Sequence, residues 1–183
     1  MIKKIIKVTD PKLRIKSKVI KNFDKKLLKI IADIRDTLIV QKDPEGVGLA
    51  APQIGVNLKI FIMKYKSKQQ VFINPKITIV SNSTIGVTSL SSDKPQPKAP
   101  KIMEGCLSLP NFYGPLTRSP KIKVVYQNER GEKIKEFRSG FEAQIIQHEV
   151  DHLNGVLFID RLLEQKKPLF ELVNGEWEEV ELL

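Results

Sequence analysis

Both histidines of the chain, His148 and His152, fall in one run, Gln147-His148-Glu149-Val150-Asp151-His152, and that spacing restricts the local fold more than any other feature. Residues four apart stack on one face of an α-helix, so two imidazoles at this spacing can meet one metal ion if the run is helical. Glu149, directly after the first histidine, is then placed to act on a water held there. The helix is expected from about Gly140 to Leu153, ended by the Asn154-Gly155 pair.

Two imidazoles do not complete a catalytic metal site, which commonly has three protein ligands and an open position. With the histidines used up, the third ligand must come from Cys106, the only cysteine, or from a carboxylate. Glu171 is the carboxylate candidate, by analogy with zincin-type proteases that take a glutamate downstream of His-Glu-x-x-His. It belongs, however, to a predicted hairpin following Lys166-Lys167-Pro168 rather than to a second helix. Cys106, within Glu104-Gly105-Cys106-Leu107-Ser108-Leu109-Pro110, is preferred because a thiolate is a strong ligand for divalent transition metals. Two nitrogens and a sulfur suit zinc, iron, nickel or cobalt.

At 183 residues the chain supports one core, and it is read as a single catalytic domain over 1–183. Hydrophobic residues at 41% and charged residues at 28% argue against a disordered protein. No apolar stretch approaches the ~20 residues of a membrane span, so no membrane partner is expected. The opening Met1-Ile2-Lys3-Lys4-Ile5-Ile6-Lys7 is interrupted by lysines before a signal-peptide core could form. A lone cysteine forms no internal disulfide, so a reducing, cytoplasmic location is expected.

The net charge of +10 is uneven. From Glu164 onward two lysines face six glutamates, which leaves −4 on the 164–183 tail and +14 on the body. A basic body suits a polyanion such as RNA, and a metal-stabilised RNA-binding module is one reading of the chain. The lysines are dispersed along the sequence without interleaved aromatics, however, and a solvated surface explains them equally well.

Leu27, Leu28, Ile30, Ile31, Ile34 and Leu38 recur at helical spacing between about Asp24 and Val40, with Asn22 or Asp24 as cap. After a turn at Asp43-Pro44-Glu45-Gly46 comes a run of small residues, Gly46-Val47-Gly48-Leu49-Ala50-Ala51-Pro52-Gln53, whose composition implies close backbone approach to a ligand or strand. Strands are predicted at 59–65, 71–80 and 85–90, with Ser81 to Lys101 a surface excursion, part strand and part loop. Further hairpins are predicted at 121–127 with 133–137, and in the tail around Asn174-Gly175. The expected architecture is α+β: mixed or antiparallel sheets packed around a central helix carrying the metal motif, with one further N-terminal helix.

Three runs, Gly46 to Gln53, Glu104 to Ser108 and Gln147 to Leu153, resemble in order and spacing the signature motifs of peptide deformylases. The resemblance covers the chain from the N-terminal arm to about Leu163. It implies a hydrolase that removes the N-formyl group from the formylmethionine of new polypeptides and releases formate. It implies that Cys106, His148 and His152 hold a divalent ion, with Fe2+ the working metal and Zn2+ a less active substitute. It implies Glu149 as general base, with the Gln53 side chain and the Leu107 backbone N–H as oxyanion donors. Val47 and Gly105 would pair with the peptide and Gly48 would also contact substrate, while Phe141, Gln144 and Ile145, together with Val47, would line the methionine pocket. Glu104, Arg118 and Asp151 would brace the ligands. The expected partners are N-formylmethionyl nascent peptides, with transient ribosome association, for a monomeric enzyme. The chain departs from the family in the long Gln53 to Cys106 interval. It also has an acidic tail where a basic helix suited to ribosomal RNA would be expected, and Tyr113 in a stretch where some members carry a basic residue near the substrate.

Overall fold

The computed structural model describes residues 1–42, 45–80 and 103–181. Helix α1 (Lys25–Ile39) is capped by Asp24, whose side chain accepts from the Leu27 N–H. Its apolar stripe, Leu27, Ile31, Ile34 and Leu38, is buried. The segment then enters β1 (Gly48–Ala50), a 3₁₀ turn at Ala51–Ile54, β2 (Ile60–Tyr65) and β3 (Lys68–Ile79). Lys66 and Ser67, both at positive φ, close the β2–β3 hairpin, so β3 starts earlier than the expected residue 71. The strand expected at 85–90 and the Ser81 to Lys101 excursion lie outside the described residues.

Two short strands that the sequence did not announce, β4 (Glu104–Cys106) and β5 (Leu109–Gly114), carry the cysteine run. β6 (Lys121–Gln127) and β7 (Lys133–Ser139) form the expected hairpin, and α2 (Gly140–Leu153) is the expected metal helix. Gly155, at φ 75, ends α2, and its left-handed backbone lets Val156 N–H return to the Asp151 carbonyl at 3.0 Å. A third helix, α3 (Phe158–Glu164), was not expected, because seven residues give too little periodicity to read. β8 (Leu169–Val173) and β9 (Glu176–Val180) form the C-terminal hairpin.

The strands make two antiparallel sheets, in orders β1-β2-β3-β6-β7 and β4-β5-β8-β9. On one face of the larger sheet, α1 buries Leu27, Ile31 and Ile34 against Leu49, Ile60, Ile62 and Ile73. On the other, α2 packs Ile145, Ile146 and Val150 against Phe61, Phe72, Val124 and Tyr126. A third cluster under the smaller sheet joins Cys106 and Leu169 to Phe158 and Leu162 of α3. α2 is therefore enclosed: every residue from Ala143 to Leu153 is buried, including two glutamines, both histidines, Glu149 and Asp151. A buried polar helix face must find partners, and those partners define the site.

Candidate metal centre and active site

α2 sets its two imidazoles edge to face, with ring centroids 4.8 Å apart and planes at 78°. β4 delivers the third group, setting Cys106 Sγ 3.2 Å from His152 Nε2. One ligand atom from each of Cys106, His148 and His152 lies within 4.8 Å of the others, all three residues buried. Burial pushes the Cys106 thiol up, yet the two histidines outweigh it and hold the group well below the usual thiol range. Burial likewise opposes charge on His148, while Cys106 and Glu104 drive its pKa well above the ordinary value. The surroundings thus favour the thiolate, the form that ligates a metal. His152 Nδ1 is buried without a hydrogen-bond partner. A thiolate and two imidazoles whose ligand atoms converge on one point fit a divalent transition metal. Glu171, the competing third ligand, pairs across strands with Phe112 and Glu178 and stands outside this group.

The ligands are held from behind by charge. Glu104 Oε1 lies 2.8 Å from His148 Nδ1, leaving Nε2 as the free ring nitrogen. Arg118 grips the same carboxylate with two bonds, Nε to Oε2 at 3.0 Å and Nη2 to Oε1 at 2.7 Å. Its remaining nitrogen reaches Asp151 Oδ2 at 2.5 Å, and Arg161 holds Asp151 through bonds of 3.1 and 2.8 Å. Burial raises Glu104, but His148 and Arg118 prevail and set its pKa at about 2. Arg161, which sequence reasoning missed, belongs to the unexpected α3; its pKa is raised by Asp151 and then Glu164.

Glu149 is buried against the small-residue run. Its Oε2 has no partner, and burial lifts its pKa to about 7 despite the two histidines. Gly48 explains the small residues: a Cβ there would stand 2.3 Å from Glu149 Oε1. Gln53 is oriented by the backbone three residues before it, since its Oε1 accepts from the Ala50 N–H at 2.8 Å and its Nε2 must then face the cysteine run. That nitrogen donates to Ser108 Oγ at 3.2 Å and approaches Cys106 Sγ at 3.6 Å. Ser108 closes the Glu104 to Ser108 run, but no role had been assigned to it from the sequence. The N-terminal arm straps both segments, with Ile6 N–H donating to the Gln53 carbonyl and Val8 N–H to the Ser108 carbonyl, at 2.8 and 2.9 Å.

A cleft of about 790 Å3, including its open mouth, brings together Val47, Gly48, Gln53, Gly105, Leu107, Phe141, Gln144, Ile145 and Glu149, with Glu104, Cys106 and His148 at its base. Arg118, Asp151 and His152 stand behind this lining. Gln144 both faces the cleft and donates to Glu104 Oε2 at 3.4 Å. Met103, Asn111 and Phe112 also line it without having been anticipated, and so does Tyr113, from the stretch expected near the substrate.

A buried thiolate and two imidazoles beside an unpaired carboxylate, at the base of a cleft with an oriented amide donor, define a metal-dependent hydrolase. The sequence matches the family model for polypeptide deformylase over residues 2–168. A peptide deformylase of Pseudothermotoga lettingae is 39% identical over 94% of this chain and 93% of its own. One from Dictyoglomus turgidum is 35% identical over 90% and 95%. The crystal structure of the Thermotoga maritima peptide deformylase superposes with a TM-score of 0.72 at 38% identity, covering 88% of this chain and 97% of that one. The chain belongs to the polypeptide deformylase family. Its activity is metal-dependent hydrolytic removal of the N-formyl group from newly synthesised polypeptides.

Proposed function

We propose that Cys106, His148 and His152 hold one divalent ion, Fe2+ in the working enzyme with Zn2+, Ni2+ or Co2+ as substitutes, and that the surrounding residues carry the hydrolysis. The converging ligand atoms beside an unpaired Glu149 carry this reading. When bound, the ion supplies Lewis-acid chemistry and makes water nucleophilic near neutral pH. Glu149 takes a proton from the attacking water as a new C–O bond forms at the formyl carbon. Gln53 Nε2 and the Leu107 backbone N–H donate to the oxyanion that develops there. Glu149 then passes its proton to the departing nitrogen, the C–N bond breaks, and formate and a free amine leave. A pKa of about 7 suits a group that must take and return a proton.

The peptide backbone pairs with Val47 and Gly105 by strand addition and also contacts Gly48, and the methionine side chain packs on Val47, Phe141 and Ile145, with Gln144 at the polar end. Glu104, Arg118 and Asp151 fix the ligands. Residues 1–183 act as one catalytic domain: the acidic 164–183 tail is tied in because β8 pairs with β5 in the sheet that carries Cys106. The enzyme is read as a monomer. The substrate arises at translation, which supports a cytoplasmic enzyme in transient contact with ribosomes.

The test is formate release from formyl-Met-Ala-Ser by anaerobically purified protein, with elemental analysis of the bound metal. Cys106→Ser is expected to lose both metal and activity. Retention of both would overturn the ligand set, and absence of formate from the metal-loaded wild type would overturn the catalytic reading.

A further inference from the structure

The lysines that look dispersed in sequence are gathered by strand register. Along β6, Ile122, Val124 and Tyr126 face α2, so Lys121, Lys123 and Val125 face the opposite side of the sheet. On that side Lys123 sits between Thr78 and Phe137, Val125 between Lys76 and Lys135, Lys121 beside Ser139, and Gln127 beside Lys133. Five lysines thus share one face, staggered so that none stands directly opposite another, which limits like-charge repulsion while concentrating charge. Among the described residues of β3, β6 and β7 this face carries no carboxylate. Glu136 points to the other side, where it accepts from the Tyr126 hydroxyl. In the midst of the lysines Phe137 is 58% exposed, with Lys121 Nζ 5.4 Å from its ring centroid. The basic band extends past β3, where burial, followed by the charges of Lys16 and Lys76, lowers the pKa of Lys59.

We propose that this sheet face docks single-stranded RNA, its phosphates held by Lys76, Lys121, Lys123, Lys133 and Lys135 and one base stacked on Phe137. Cations around an exposed ring on a sheet match alternating phosphates and bases. Attachment to an anionic membrane would call instead for an apolar helix face lying in the interface, and this surface offers a single ring. α2 covers the reverse side of the same sheet, so RNA bound here leaves the catalytic cleft open to peptide.

The test is binding of the full chain to a fluorescent single-stranded RNA of about 10 nucleotides across a salt series. Five phosphate contacts predict a slope of log K against log salt near −3.5. The combined variant Lys76→Gln, Lys123→Gln and Lys135→Gln should shallow that slope by about 2. Phe137→Leu should weaken binding about tenfold with the slope unchanged. Both variants should release formate from a short formylated peptide at the wild-type rate, which reports an intact fold. The proposal is overturned if wild type shows no saturable binding at low salt, or if the lysine variant binds as wild type does. It is equally overturned if polyglutamate or phosphatidylserine vesicles bind as tightly as the RNA.

Discussion

Gly48→Ala tests the placement of Glu149 with a single methyl group. A Cβ on Gly48 would lie 2.3 Å from Glu149 Oε1, 2.9 Å from its Cδ and 3.1 Å from its Cγ. Ordinary carbon contacts need about 3.5 Å, so the carboxylate must retreat by roughly 1 Å. A displacement of that size at a reacting group costs on the order of 100-fold in rate, or about 2.7 kcal/mol of barrier. Stability should change far less. The atom that must move ends a side chain, and Gly48 is not among the positive-φ residues, so alanine fits the backbone and reduces the freedom of the unfolded chain. The expected result is therefore a kcat for formate release about 100-fold down, with a melting temperature within a few degrees of wild type. In a Glu149→Gln background the same alanine should cost almost nothing further, because the group it displaces no longer moves a proton. Wild-type kcat in Gly48→Ala, or full additivity with Glu149→Gln, would refute the reasoning.

Gln53→Ala removes one oxyanion donor and should lower kcat by 10²- to 10³-fold with KM little changed, read from steady-state formate release. Arg118→Met leaves Glu104 and Asp151 without their shared guanidinium, and thermal or urea unfolding should show a loss of about 3–5 kcal/mol. Acid titration follows the sign of the Glu104 shift. Its folded pKa of about 2 lies below its ordinary 4.5, so its stabilisation is complete above about pH 5 and fades as pH falls toward 2. Glu104→Gln should accordingly flatten that part of the stability curve, measured by denaturant midpoints at each pH. Chelation should abolish formate release and lower the melting temperature, because an ion bound only by the folded state stabilises it by mass action; an unchanged melting temperature would count against the Cys106-His148-His152 site.

Local order was written plainly in the chain. Four-residue spacing made a helix of the run holding His148 and His152, apolar periodicity marked α1, and Asn174-Gly175 marked the last turn. The sole cysteine in its distinctive run, with too few histidines to complete a site, pointed to Cys106, and the motifs nominated Gln53 and Glu149. Tertiary structure alone decided what those groups meet: that Glu104 reaches from β4 to His148, that Arg161 of a helix too short to read closes the charge chain behind them, and that Ser108 takes the Gln53 amide. It also turned dispersed lysines into one charged face around Phe137. Periodicity within a segment fixes which of its own residues share a side. Which segments pair, and in what register, is set by the packing of whole sheets and helices, and it is there that distant charges and donors become neighbours.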